Sequence, residues 1–223
     1  MDKYYAEKLS AERLKRVYEI APPRTKQYLK AEIDFVLEHI HTDDTVLELG
    51  CGYGRVLKPL ARVARTAVGI DNSPSSLSAA REYLHEYDNI ILIGTDAADL
   101  AIRESVFDCT ICIQNGISAF HVDPHKLIAE SIRVTKKGGI VLFSSYSEKF
   151  WESRLEWFRL QSEEGLLGEL DLDKTGNGTI VGQNGFKATT YGKEDFQSLL
   201  SGFEASYSLH EIDQSSIFCR IKL

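Results

Sequence analysis

Apolar residues along this chain fall first at helical spacing and then in short solid runs. From 10 to 20, Leu14, Val17 and Tyr18 share one helical face behind Ser10 as N-cap, and Pro22-Pro23 ends that helix. A second helix runs to about residue 40, with Leu29, Ile33, Val36, Leu37 and Ile40 as its stripe. After the polar loop "HTDDT" the period changes. "TVLELG", "TAVGID", "NIILIGTD", "FDCTICIQN" and "GGIVLFSSYS" are strand-length apolar runs, with helices predicted over 54–64, 74–87 and 124–135 between them. Runs this apolar, alternating with helices, belong to a parallel sheet covered on both faces. The pattern predicts a doubly wound α/β fold.

The chain end departs from that pattern. "FEASYSLHEI" and "SIFCRIKL" flank the polar turn "DQSS" and should pair as an antiparallel hairpin closing the sheet. Between the fifth strand and the helix at "KEDFQSLLSGF" lies an insert, 148–192. A structureless loop of that length is uncommon, and this one carries structure signals. Trp151, Leu155 and Phe158 sit at helical spacing, and Asn184-Gly185 divides two β-prone runs as a hairpin turn does.

Length and charge narrow the function. The 223 residues suffice for one α/β domain over 1–223, with N-terminal helices in 1–42. The formal charge is −7, so no general basic field gathers polyanions, and nucleic acid is not expected as a partner. The first twenty residues are charged throughout and lack a signal-peptide core. No apolar run approaches the roughly 18 residues of a membrane span, so the expectation is a cytoplasmic protein without a membrane partner. Cys109 and Cys112 form a CxxC, yet on a strand residues three apart face opposite ways. They read as core cysteines, and no metal site is expected.

The chemistry concentrates in "VLELGCGYGR", 46–55. A glycine-rich strand-to-helix turn lets a ligand approach the backbone. Dinucleotide sites use such a turn for a pyrophosphate, but here Arg55 stands where that pattern wants glycine, and Glu48 precedes the first glycine by two residues. A carboxylate repels pyrophosphate and attracts a cation. S-adenosyl-L-methionine (SAM) carries a sulfonium and an ammonium and no phosphate, which makes it the expected cofactor. Asp71 ends the second strand in "GIDNS", suited to ribose hydroxyls, although a NAD site also places an acid there. Asp96 ends the third strand, suited to an adenine amino group beside the Ala97 N–H, and "QNG" ends the fourth.

From about residue 43 to its C-terminus, the chain resembles the class I SAM-dependent methyltransferases, on "LELGCGYGR" and the acids of the second and third strands. The resemblance implies a seven-stranded sheet in the order 3-2-1-4-5-7-6 with strand 7 antiparallel, and S-adenosyl-L-homocysteine (SAH) as product. It also implies site roles. Gly50, Gly52 and Gly54 would line the methionine portion and Asp71 would clamp the ribose, with Glu48, Cys51, Tyr53, Asn72 and Asn115 also among the cofactor-binding residues. Asp96 and Ala97 would hold the adenine, and Gln114 would lie near the methionine end. Cys51 reads as a small residue chosen for space.

Methyl transfer needs a general base only when the acceptor is protonated. Candidates are His121 and His125 in "SAFHVDPH", and Tyr146 after the fifth strand. The Asn/Asp-Pro-Pro-Tyr/Phe motif of amino-directed nucleic-acid enzymes is absent where "QNGI" stands, and no Pro-Cys dipeptide occurs. A small-molecule acceptor is the leading reading. A protein or RNA methyltransferase, or a SAM-binding module without catalysis, are the alternatives. The insert and the N-terminal helices are expected to cap the acceptor pocket, with Tyr4, Tyr5, Trp151 and Trp157 as its aromatic walls.

Overall fold

The computed structural model describes residues 12–223. Two helices, α1 (Glu12–Glu19) and α2 (Pro23–Leu37), come first. Strand β1 (Thr45–Leu49) then leads through α3 (Leu57–Ala61), β2 (Thr66–Asp71) and α4 (Pro74–Tyr83) to β3 (Ile90–Gly94). β4 (Phe107–Cys112), α5 (Gly116–Ala119), α6 (Pro124–Val134) and β5 (Thr135–Tyr146) follow. The insert holds a short 3₁₀ turn, α7 (Trp151–Glu163) and a small hairpin, β6 (Thr179–Val181) with β7 (Lys187–Thr189). α8 (Lys193–Leu200) and the hairpin β8 (Ser206–Ile212) with β9 (Ser216–Lys222) complete the chain.

The main sheet has seven strands in the order β3-β2-β1-β4-β5-β9-β8. β1 to β5 pair in parallel, and β9 runs antiparallel to β5. With the terminal strands counted as sixth and seventh, this is the expected topology. The turn between them places Asp213 and Gln214 at φ of 54° and 52°.

Both faces of the sheet are covered at its centre, because consecutive residues of β1, β2 and β4, which point to opposite faces, are apolar and buried. Val46 of β1 packs with Phe35 and Val36 of α2, Leu57 and Leu60 of α3, and Leu77 of α4. Leu47 packs on the other face with Leu127 and Ile128 of α6 and Phe196 of α8. Cys109 lies in the first of these cores and Cys112 in the second, so the CxxC pair does face opposite ways. A third cluster joins Val17 and Tyr28 of the first two helices to Trp157, Phe158, Ile180 and Phe186 of the insert.

Two expectations shift. The helix foreseen over 54–64 shrinks to Leu57–Ala61, since Gly54 at φ +90° still belongs to the turn. Helix α7 forms, but its inward face carries Arg154, Trp157, Phe158 and Gln161, while Trp151 and Leu155 are only half-buried. Arg154 is the reason. Its guanidinium donates to the carbonyls of Gly178 and Ala188 and to Thr190 Oγ1, and its Cζ lies 4.2 Å from the Tyr146 ring centre. Three directed hydrogen bonds rotate the helix toward a cation that an apolar count ignores. Among the described residues, no helix is long and apolar enough to cross a membrane.

Candidate active site

The carboxyl ends of β1 to β4 open onto one cavity of about 210 Å³, the edge where open α/β sheets bind ligands. Its floor is the glycine turn. Gly50 has a φ of +72°, and a Cβ there would lie 2.5 Å from the Phe120 ring, so both conformation and space demand glycine. Gly54 is tight for another reason: a Cβ would meet Leu84 Cδ1 at 2.4 Å. The turn is tied down by Asp71, whose Oδ2 accepts the Gly52 N–H at 2.9 Å and whose Oδ1 accepts the Ser73 N–H at 2.8 Å. Burial holds the Asp71 carboxyl above its usual range, against these backbone hydrogen bonds.

Glu48 points into the same space from β1. Burial pushes its carboxyl up to about 8, with the Arg55 charge opposing, and its Oε2 has no hydrogen-bond partner. A buried carboxyl with a free acceptor oxygen beside a cavity suits a cationic ligand. At β3 the chain turns through Asp96, whose Oδ1 accepts the Ala98 N–H at 2.9 Å.

The end of β4 is strained. Gln114 and Asn115 take φ of 57° and 61°, left-handed for two consecutive residues with side chains. Neighbours hold them there. The Gln114 N–H donates to Glu32 Oε2 at 2.7 Å and is within 2.8 Å of Ser144 Oγ, while Asn115 Oδ1 accepts from Ser145 Oγ at 2.7 Å. Glu32 reaches this spot fully buried from α2, and burial raises its carboxyl to about 7 against hydrogen bonds from Ser216, Ser144 and the Gln114 N–H.

Opposite the turn stands an aromatic wall. Tyr18 of α1 lies 6.2 Å from both the Tyr53 and Trp157 rings, and its hydroxyl donates to Gln114 Oε1 at 3.3 Å. Trp157 Nε1 donates to the Val17 carbonyl at 3.0 Å, which seats α1 on the insert. Tyr146, Phe158 and Phe186 continue the lining.

The structure therefore gathers Glu48, Gly50, Cys51, Gly52, Tyr53, Asp71, Asn72, Asp96, Ala97, Gln114 and Asn115 around one cavity, with Tyr146 and Trp157. Gly54 stands just outside the lining and serves the packing of the turn. His121 and His125 do not line the cavity either, although Phe120 and Val122 beside His121 do. His125 is exposed, its ring stacked 6.4 Å from Phe203. Tyr146 is in place, but burial raises its phenol to about 12, which keeps it a proton donor at neutral pH. Trp151 packs 5.8 Å from the Arg154 guanidinium instead of facing the cavity. Tyr4 and Tyr5 lie outside the described residues. Sequence reading missed Glu32, Arg55 and Tyr18 as site residues. Tyr18 and Arg55 did carry a signal, one at the end of an apolar stripe and one inside the glycine motif.

The fold is Rossmann-like, with one cavity at the carboxyl edge of its parallel strands. The model of a family described as "Methyltransferase domain" matches residues 46–139. Among curated proteins it is similar to a ubiquinone biosynthesis O-methyltransferase of Thiobacillus denitrificans, 35% identical over 105 residues, 45% of this chain and 43% of the relative. A protein of the same name from Coxiella burnetii is 28% identical over 63% of this chain and 56% of its own length. The chain thus spans about half the length of the curated relatives it matches. Among solved structures, a Pyrococcus horikoshii protein superposes with a TM-score of 0.67 at 19% identity, covering 100% of this chain and 99% of the other. The DhpI-SAM-HEP complex gives 0.66 at 19%, covering 99% and 94%. Identities this low establish the shared fold.

Proposed function

We propose that this protein is a SAM-dependent methyltransferase acting on a small, planar or apolar acceptor. The observation that carries the reading is the continuity of one cavity. It runs from the glycine turn, with Glu48, Asp71 and Asp96, to the aromatic wall of Tyr18, Tyr146, Trp157, Phe158 and Phe186. The residues fit the cofactor: an unpartnered buried Glu48 oxygen suits a cation, and the turn has no room for side chains at Gly50. When bound, SAM supplies a methyl group on a sulfonium, which an acceptor atom attacks in line.

In this reading Asp71 and Asn72 hold the ribose, Asp96 and Ala97 the adenine, and the glycine turn with Cys51 and Tyr53 the methionine end. Gln114 and Asn115, clamped in a strained turn, complete that end. Tyr18 and Trp157 exclude water and stack on a flat acceptor, with α1 and the insert forming the cap. Tyr146 stays protonated and orients an acceptor oxygen as a hydrogen-bond donor. The protein's share of catalysis is then mainly alignment and desolvation. The curated relatives are named for O-methylation in ubiquinone biosynthesis, which supports a small acceptor and leaves its identity open.

The test is incubation with methyl-labelled SAM and separate pools of small metabolites, proteins and RNA. Label should enter the small-molecule pool, and SAM should raise the melting temperature where NAD does not. Label confined to protein or RNA would overturn the acceptor class. Greater stabilisation by NAD than by SAM or SAH would overturn the cofactor.

A further inference from the structure

The cap over the cavity carries a polar group that the protein itself leaves unused. Helix α7 turns Trp157, Phe158 and Gln161 inward together, and all three line the cavity. Gln161 is only 3% exposed. Its place is fixed, because its backbone carbonyl accepts the N–H groups of Leu166 and Leu167 at 2.9 and 3.1 Å where the helix ends. The carboxamide, however, makes no hydrogen bond among the described residues. Unlike the enclosed donors of Arg55 and Gln114, it is not sealed away from the open cavity. Its aromatic neighbours are already committed: Trp157 Nε1 donates to the Val17 carbonyl and the Tyr18 hydroxyl to Gln114 Oε1.

A carboxamide offers donors on its nitrogen and acceptor sites on its oxygen, and it does not titrate. Leucine or methionine would fill the same helical position without burying an amide, so packing alone does not account for glutamine here. None of the lining residues supplied by α1, β5, α7 or the β6–β7 hairpin carries a charge. Arg154, the inward cation of α7, is turned to the carbonyls of Gly178 and Ala188 and does not line the cavity. An ionised group brought against α7 would lose water and gain no countercharge there. A neutral group that both donates and accepts would satisfy both ends of the amide.

We propose that Gln161 selects the methyl acceptor by hydrogen-bonding an uncharged donor–acceptor group on its ring, a hydroxyl or a carboxamide. This inference rests on the function proposed above and narrows the acceptor from any flat or apolar molecule to a neutral polar ring. A ring without such a group would cover the amide and leave it unpaired. A site built to hydrogen-bond its ligand rejects that analogue far more strongly than one lacking a methyl group.

The experiment titrates the SAH-bound protein with phenol, toluene, benzamide and benzoate by ligand-observed NMR, in the parent and in Gln161→Leu. Phenol and toluene share a shape and differ in the hydroxyl; benzamide and benzoate differ in charge. The parent should bind phenol at least as tightly as toluene, although toluene leaves water more readily, and benzamide more tightly than benzoate. Gln161→Leu should shift the ratio of phenol to toluene affinity about tenfold toward toluene, with SAH itself bound within about threefold of the parent. Gln161→Met repeats the comparison should the leucine variant fail to fold. A phenol-to-toluene ratio that stays the same, whether both probes weaken together or neither does, would assign Gln161 to packing and overturn the inference. A parent that favours toluene over phenol, or benzoate over benzamide, would overturn it as well. Failure of the parent to bind SAH would instead defeat the cofactor reading, and the probe ratios would then be read on the free protein.

Discussion

Replacing Asp71 by alanine separates two jobs that one carboxylate performs. In the structure its oxygens accept the Gly52 N–H at 2.9 Å and the Ser73 N–H at 2.8 Å, pinning the glycine turn to the end of β2. Alanine leaves both N–H donors without that acceptor, at about 1–3 kcal/mol each, and relief of the burial that raises the Asp71 carboxyl offsets part of this. The expected loss of stability is about 2–3 kcal/mol, against roughly 5–15 kcal/mol for a native domain. The variant should therefore fold, melting about 5–10 °C lower. Binding should fall further. Two ribose hydroxyls would lose a charged acceptor, about 2–4 kcal/mol or about 30- to 1000-fold in affinity. Calorimetric titration with SAH and a thermal melt measure the two effects separately. A folded variant whose Kd for SAH lies within threefold of the parent would refute the ribose role and leave Asp71 as a tie for the turn.

The remaining predictions concern the lid and pH. Trp157→Phe keeps the aromatic wall but removes the hydrogen bond from Nε1 to the Val17 carbonyl, worth about 1 kcal/mol. Amide exchange in α1 should accelerate several-fold while the central strands stay protected; unchanged exchange in α1 would show that the bond does not hold the helix. Glu32 and Glu48 are raised by burial to about 7 and about 8. A carboxyl raised on folding binds more protons in the folded state than in the unfolded one, so stability should fall as pH climbs from about 4.5 to 8. Glu32→Gln removes its share, up to roughly 3 kcal/mol, and flattens the slope. Urea denaturation at pH 5.5 and pH 8.5 checks this, and an equally steep slope in the variant would contradict the assignment.

Much of the site was readable because it is local. The glycine turn, Asp71 and Asp96 each follow a strand whose apolar run marks its end, and the parallel sheet then brings those ends to one edge. The Asn184-Gly185 turn and the terminal hairpin are equally local, since two or four residues set them. Elsewhere the same reasoning misplaced residues. His125 stood in a plausible loop but stacks on Phe203 away from the cavity, and Trp151 packs on Arg154. Both depend on which way a neighbouring element rolls.

The periodicity of apolar residues by itself determined the strands, the two covered faces and the motif at the ligand edge, because burial patterns are written residue by residue. The tertiary structure alone decided which polar side chains enter the interior. Arg154 turns α7 inward to reach carbonyls 24 and 34 residues further along the chain. Glu32 crosses from α2 to a backbone N–H 82 residues away. Tyr18 meets Gln114 across 96 residues. A charged or hydroxyl group is costly to bury until its partner is in place, and that partner is supplied by the fold.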